Sequence, residues 1–124
     1  MKVVASPNAP AAIGAYSQAI EHGGIVYCSG QIGLTADGVW AGSDVRSQTE
    51  QALQNLGAVL AEAGSGPAQV IRATIFVASM DDFAAVNEEY SAFFGGHRPA
   101  RACVEASRLP KDALVEISCI AATR

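Results

Sequence analysis

The alternation of apolar and polar residues predicts paired strands at both ends of the chain. In AYSQAIEHGGIVYCSGQI, β-branched and aromatic residues flank His22-Gly23-Gly24, a pattern typical of two strands joined by a tight turn. Another turn is predicted at Ala36-Asp37-Gly38. Near the end, ARACVEAS and ALVEISCIAAT predict two further strands, joined by the loop from Arg108 to Asp112.

Two other segments have apolar residues at helical spacing. A long helix is predicted from Ser43 or Asp44, as the N-cap, to a terminating glycine at Gly64. Its apolar face comprises Val45, Thr49, Ala52, Leu53, Leu56, Val59, Leu60 and Ala63. A second helix is predicted from about Asp81 to Phe94, before Gly95-Gly96. Its inner stripe comprises Phe83, Val86, Tyr90 and Phe93.

The segment QVIRATIFVA, between the helices, is apolar on both sides and predicts a central strand covered on both faces. One face is assigned to Ile71, Ala73, Ile75 and Val77, and the other to Phe76 and Ala78. The order is therefore strands, helix, strand, helix and two strands. We predict a single α+β domain over residues 1–124, with two helices packed on one face of a mixed sheet.

Composition adds a requirement for a second buried surface. Charged residues make up 16% of the 124-residue chain and apolar residues 50%, whereas globular proteins average about 25% charged residues. The shortage of charge predicts that the uncovered sheet face packs against another copy of the chain. The net charge of −4 argues against nucleic acid as the main partner.

No feature of the sequence indicates a membrane segment, a metal site or a cofactor motif. No apolar run approaches the ~20 residues of a membrane helix, so a cytoplasmic protein is expected. Cys28, Cys103 and Cys119 form no CxxC pair, and their odd number predicts free thiols. His22 and His97 lie in glycine-rich loops without other ligands at metal-binding spacing.

Two charged residues, Arg101 and Glu116, interrupt apolar strands. Such charges are costly unless they are paired, exposed or facing a charged ligand. Strand alternation puts Cys103 on the side of Arg101, and we expect Arg101, Glu116 and Ser29 to project toward a common cleft. A guanidinium suits a small carboxylate, and a carboxylate can orient water. The pattern leaves open that Arg101 and Glu116 pair with each other or lie at an exposed strand edge.

Four motifs resemble the Rid family of enamine/imine deaminases, also known as RidA or YjgF-like proteins. They are NAPAAIGAYSQAI, CSGQI, TIFVASMDDFAAVNEEYSAFF and RPARACVEASRLPKDALVEI, and the similarity runs nearly end to end. The resemblance implies a chorismate-mutase-like α+β fold in a homotrimer, with three ligand clefts between subunits. It also implies hydrolytic deamination of 2-aminoacrylate and 2-aminocrotonate, by way of 2-imino acids, to 2-keto acids and ammonia without a cofactor or metal.

The resemblance assigns roles residue by residue. Arg101 matches an arginine that binds the substrate carboxylate, the backbone of Cys103 helps to hold the imine nitrogen or the attacking water, and Glu116 positions that water. Residues that line the pocket are Tyr16, Ser29 and Asn87. The chain departs from the family pattern at Ala15, where many members have proline, and at Ser118, where a second glutamate is common.

Three other functions remain compatible with the sequence. They are a non-catalytic carboxylate-binding or chaperone-like trimer, a related deaminase of aromatic or pyrimidine catabolism, and a ribonuclease. The acidic balance makes a ribonuclease the least favoured. Glu116 favours catalysis over simple binding, since a carboxylate binder needs the arginine but not the glutamate.

Overall fold

Six strands form one mixed sheet in the computed structural model, which describes residues 1–124. The strands are β1 Lys2–Val4, β2 Ala19–His22, β3 Ile25–Gln31, β4 Val70–Val77, β5 Ala100–Glu105 and β6 Val115–Ala122. Their spatial order is β1-β2-β3-β6-β4-β5. Only β4 and β5 are parallel, and all other neighbours are antiparallel. The predicted hairpin and final strands are confirmed, whereas β1 was missed.

Helix α1 (Val45–Glu62) connects β3 to β4, and helix α2 (Phe83–Phe94) connects β4 to β5. The predicted cap of α1 is confirmed, because the Asp44 carboxylate accepts a hydrogen bond from the Ser47 backbone at 3.0 Å. Gly64 follows the helix with φ 73°, a left-handed conformation that favours glycine. Helix α2 begins two residues later than predicted, because Met80–Asp82 form a separate 3₁₀ turn.

Both helices pack on the same face of the sheet, as predicted, and enclose one apolar core. The core residues of the central strand are Val70, Ala73, Ile75 and Val77. The assignment of Ile71 to this face was wrong, since its exposed fraction is 49%. A register shift between Val70 and Arg72 inserts one residue into β4 and turns Ile71 away from the core. No helix is long and apolar enough to cross a membrane.

The buried stripe of α2 differs from the predicted one at its end. Val86, Tyr90 and Phe94 are buried, whereas Phe93 is only partly buried. Phe93 lies beside Gly57 of α1, where an added methyl group would come within 3.5 Å of its ring. Phe93 therefore packs between the helices, and Phe94 takes the place in the core that was assigned to Phe93.

The other face of the sheet carries no helix. Val3, Tyr27 and Val104 are exposed there to 64%, 48% and 45%. Phe76, predicted to lie opposite the core face, is half-buried on this surface. Within one chain, the helices therefore cover only one face of the central strand. The burial of the open face by further copies of the chain remains a prediction.

Buried carboxamide side chains attach the long loops to the helix and sheet frame. Asn55 of α1 is fully buried, and its Nδ2 donates to the carbonyl oxygens of Ile32 at 3.1 Å and Leu34 at 2.8 Å. Gln48 of the same helix donates to the Gly42 carbonyl at 3.2 Å and accepts from the Leu114 backbone at 2.9 Å. These bonds satisfy loop backbone groups that are buried or partly buried.

A third buried amide, Gln18, organises the N-terminal segment in the same way. Its Oε1 accepts from the Ser6 backbone at 2.6 Å, and its Nε2 donates to the Pro10 carbonyl at 2.7 Å. The segment that leads to Tyr16 is thereby held against the strand that follows it. All three amides were absent from the sequence predictions, because a polar residue within an apolar pattern does not reveal its partner.

We predict that Asn55→Ala destabilises the protein by about 2 kcal/mol or more, because it leaves the buried Leu34 carbonyl without its side-chain donor and removes the bond to the partly buried Ile32 carbonyl. Urea unfolding at one fixed protein concentration measures this change. Gln54→Ala is the matched control, since Gln54 is exposed and bonds only to Glu50, and it should change stability by less than about 0.5 kcal/mol. Equal unfolding midpoints for the two variants would contradict the role of Asn55.

Candidate active site

The hydrogen-bond register places Arg101 on the helix-covered side of the sheet. Ala73 of β4 is the Cα partner of both Arg101 in β5 and Cys119 in β6. Ala73 and Cys119 are buried in the core. Since residues directly opposite each other in neighbouring strands point to the same face, the Arg101 side chain also leaves the sheet on that side, toward α2.

Glu116 lies on the opposite, open face. Its partner in β4 is Phe76, which is also the partner of the exposed Val104. Glu116 is three residues from the buried Cys119 in the same strand, so alternation points the two side chains to opposite faces. The prediction that Arg101 and Glu116 share one cleft is therefore wrong within a single chain.

The two residues do not form an ion pair with each other. Every ion pair of the structure involves either Arg46 or Arg108. Of the alternatives that the pattern left open, exposure at a strand edge applies to Arg101, since β5 is an edge strand and Arg101 is exposed. Both Arg101 and Glu116 thus lack a partner of opposite charge.

Arg101 lies against three neutral side chains of α2. Its Nη1 donates to Asn87 Oδ1 at 2.7 Å. Its guanidinium carbon is 4.9 Å from the ring centroid of Tyr90 and 5.6 Å from that of Phe83. A cavity of about 300 Å³ opens here, which we name the arginine cavity. It is lined by Asn87, Tyr90, Ser91, Arg98, Pro99 and Arg101.

Cys103 lies on the same side of β5 as Arg101 and packs against the edge of the core. Burial raises the pKa of the Cys103 thiol, and the nearby Arg101 charge lowers it by a smaller amount. The thiol therefore stays protonated at neutral pH, which is unfavourable for a nucleophile. This agrees with the interpretation of Cys103 as a packing residue or a source of backbone contacts.

Glu116, Ser29 and Tyr16 line a second and larger cavity of about 690 Å³, which we name the glutamate cavity. Its walls come from the loop at residues 10–16, from the end of β3 and the loop after it at residues 29–38, and from the turn at residues 110–111. The structure thus brings together three of the six predicted site residues in this cavity. Arg101 and Asn87 line the other cavity, with Cys103 on the same side of the sheet.

Ser29 fastens the segment that carries Tyr16. The Ser29 hydroxyl donates to the Ser17 carbonyl at 2.6 Å, and the Ser29 backbone donates to the Gln18 carbonyl at 2.9 Å. The Tyr16 ring remains 54% exposed at the cavity. Ser29 keeps lone pairs with which to accept a hydrogen bond from a ligand, while its proton is committed to the loop.

A bulge in β3 brings Gly30 against Glu116. The register shifts between Cys28 and Gln31, and both of these residues are buried on the core side. A methyl group at Gly30 would lie 2.6 Å from Glu116 Oε2. The absence of a side chain at Gly30 therefore creates the space that the Glu116 carboxylate occupies.

Burial raises the pKa of the Glu116 carboxyl above its usual range. None of the side-chain hydrogen bonds of the structure involves Glu116, so no protein donor stabilises its charged form. Its carboxylate is therefore a stronger base than an exposed glutamate and is free to bond to water or a ligand.

The loop after β5 borders the glutamate cavity in a strained conformation. Lys111 and Asp112 have φ of 55° and 59°, which is unusual for residues other than glycine. Arg108 holds this loop through two hydrogen bonds to the Asp112 carboxylate, at 2.6 and 3.2 Å. The backbone strain is thus stored at the wall of the cavity, next to Pro110 and Lys111.

Two features of the site were missed from the sequence. Gly30 gave no signal, because its importance depends on a residue far away in the chain. Phe83 and Tyr90 were predicted to lie on the inner stripe of α2, and Tyr90 is buried there, but their contact with Arg101 was not predicted. Their positions with Asn87, at i, i+4 and i+7 of one helix face, were the available indication that the three act together. No cluster of three or more potential ligands is arranged to hold a metal ion.

Comparison with known proteins identifies the family. A family model described as Endoribonuclease L-PSP matches residues 6–123. The chain belongs to the Rid family. A 2-iminobutanoate/2-iminopropanoate deaminase of Salmonella typhimurium is 44% identical to it, with 99% of this chain and 98% of that protein covered.

Two further proteins are similar to the chain in sequence and in shape. A RutC family protein of Synechocystis is 47% identical, covering 98% of this chain and 95% of that protein. A crystal structure of Escherichia coli TdcF with bound serine superposes with a TM-score of 0.95 at 38% identity, covering 100% of both chains. The mixed α+β fold, with a six-stranded sheet and two helices, is therefore that of the Rid proteins.

We predict that Gly30→Ala displaces the Glu116 carboxylate and lowers kcat by between about tenfold and a hundredfold, with stability little changed. Steady-state kinetics of the imine hydrolysis that the Rid resemblance implies, together with thermal unfolding, test this. The matched control is Gly96→Ala, because an added methyl group at Gly96 meets no atom within 4 Å. Equal kcat values in the two variants would show that the close approach of Gly30 to Glu116 has no part in turnover.

Proposed function

We propose that this Rid protein hydrolyses reactive 2-imino acids, formed from 2-aminoacrylate and 2-aminocrotonate, to 2-keto acids and ammonia. The observation that carries the proposal is a cavity at which Arg101, and beside it Arg98, has no carboxylate partner in its own chain. Such a guanidinium is available for a small anionic ligand. The deaminase name of the Salmonella relative and the serine in TdcF support a small substrate with a carboxylate.

We further propose that the complete site is built by two subunits of a chorismate-mutase-like homotrimer. One subunit contributes Arg101, Cys103 and Asn87, and its neighbour contributes Tyr16, Ser29 and Glu116. The separation of Arg101 and Glu116 on opposite faces of the sheet supports this division. The exposed apolar residues of the open face support burial against other copies.

In the proposed reaction the enamine first tautomerises to the imine. Arg101 binds the carboxylate and holds the reacting carbon in place. Glu116 orients a water molecule and accepts its proton as the oxygen bonds to the carbon of the protonated C=N group. Glu116 then returns this proton to the nitrogen, and the hydroxyl proton is lost as ammonia leaves. The carbinolamine then expels ammonia and leaves a keto group, so one water is consumed for each ammonia released. An imine is already electrophilic, and these steps use no cofactor or metal.

Two features of the protein help this chemistry. The raised pKa of Glu116 strengthens it as a proton acceptor from water. Strand β5 is at the edge of the sheet, so backbone groups near Cys103 face outward without a ladder partner and can hold the imine nitrogen or the water. A simple carboxylate binder or chaperone-like trimer has no use for a desolvated glutamate, and the net charge of −4 disfavours a ribonuclease.

We predict that adding the protein to a serine dehydratase reaction speeds formation of the keto acid and lowers the imine trapped by semicarbazide. Arg101→Ala should lower kcat/KM by about a hundredfold or more through loss of the carboxylate contact. Equal trapping by wild type and Arg101→Ala would refute the proposed role of Arg101.

In the wild type, kcat should fall as pH falls through the raised pKa of Glu116, since the neutral acid cannot accept a proton.

We predict that two inactive variants restore activity when they are co-expressed. Arg101→Ala and Glu116→Gln each damage every site of their own homotrimer, but a mixed trimer contains clefts with both native residues. Random association should recover about a quarter of the wild-type rate. Sedimentation of the mixture should show three chains. A rate no higher than that of either variant alone, or a stable monomer, would contradict the shared cleft.

A further inference from the structure

Arg101 differs from the two ion-paired arginines of this chain in the charge of its partners. Arg46 pairs with Glu88 at 3.3 Å and with Glu89 at 3.5 Å. Arg108 pairs with Asp112 at 2.6 Å. Arg101, in contrast, has one protein acceptor, the neutral Asn87 amide, and two aromatic faces. Four of the five guanidinium N–H groups therefore remain free of side-chain acceptors.

The side chains that α2 places beside Arg101 are all neutral, although α2 also contains acidic residues. Glu88 and Glu89 directly follow Asn87 in the sequence, but both turn toward Arg46 of α1. The helix thus presents its carboxylates to one arginine and its amide and aromatic side chains to the other. Phe83, Asn87 and Tyr90 fall at i, i+4 and i+7, on the face that meets Arg101.

We infer that Phe83, Asn87 and Tyr90 form a neutral cradle whose function is to orient Arg101 without neutralising its charge. The inference rests on the proposed function, in which Arg101 binds the substrate carboxylate. The three residues are positioning residues, since they act through Arg101. Asn87, expected from the resemblance to line the pocket, contributes its oxygen to Arg101.

The physical reason lies in competition between anions for one guanidinium. A protein carboxylate at the Asn87 position would bind Arg101 more strongly than the amide does, and substrate would then have to displace it. An amide oxygen fixes the direction of the guanidinium with a weaker bond. The ring faces of Tyr90 and Phe83 attract the cation through their quadrupoles and exclude water from one side. The cradle therefore pre-organises the arginine and leaves its charge for the ligand.

The decisive experiment replaces Asn87 by the nearly isosteric aspartate and measures binding of L-serine by calorimetry or NMR titration. Asn87→Asp should weaken serine binding by about tenfold or more, while its Tm stays equal to or above that of the wild type. A residue that only supports the fold would show unchanged affinity. Asn8→Asp makes the same chemical change at an exposed asparagine outside both cavities, and it should bind serine as the wild type does.

A second set of variants tests the aromatic faces. Tyr90→Leu and Phe83→Leu should each raise KM by roughly threefold to thirtyfold, with a smaller change in kcat. Tyr90→Phe keeps the ring and should restore KM to within about twofold of the wild type. It should also fold well, because the Tyr90 hydroxyl is buried without a hydrogen-bond partner.

The outcomes separate this inference from the proposed function. Wild-type serine binding by Arg101→Ala would refute the carboxylate role of Arg101, and with it the proposed function. If Arg101→Ala loses binding but Asn87→Asp binds as tightly as Asn8→Asp, the proposed function stands and the cradle inference is overturned. A lower affinity accompanied by a lower Tm in Asn87→Asp also overturns it, because the loss would then report folding.

Discussion

The alternation of side chains along paired strands is the constraint on which this site depends. It sends Arg101 to the helix-covered face of the sheet and Glu116 to the open face. Turning one side chain to the other face would shift the register of its strand and move the buried neighbours to the wrong face. No local change in one chain therefore brings Arg101 and Glu116 together. A chemistry that needs both residues therefore needs two chains. The apolar open face, the low charge content and the separation of the candidate residues into two cavities all fit the proposed homotrimer.

Within each half of the site, polar groups are positioned by bonds to buried parts of the fold. Gln18, Gln48 and Asn55 hold the loops around the glutamate cavity from inside the protein. The bulge at Gly30 and the Arg108–Asp112 pair then shape its walls. Loops held in this way lose little conformational entropy when a ligand binds, so binding free energy remains available for orientation.

The charged residues of the two cavities differ from the ion-paired arginines of the surface. Arg46 and Arg108 form ion pairs on the surface, where such pairs contribute little to stability. Arg101 and Glu116 have no partner of opposite charge, and each lines a cavity. The dehydration that raises the pKa of Glu116 would be costly in a purely structural residue. At a cleft it is offset when water or substrate completes the hydrogen bonds.

The sequence by itself determined both helices and every strand except β1, because these elements follow from local periodicity. It also determined the family, whose motifs are contiguous. The tertiary structure decided which side chains meet. Ile71 left the core because of a bulge, Phe94 replaced Phe93 because of helix packing, and Arg101 and Glu116 separated because of strand register. Register and packing join residues that are distant in the chain, and no local pattern records such pairings.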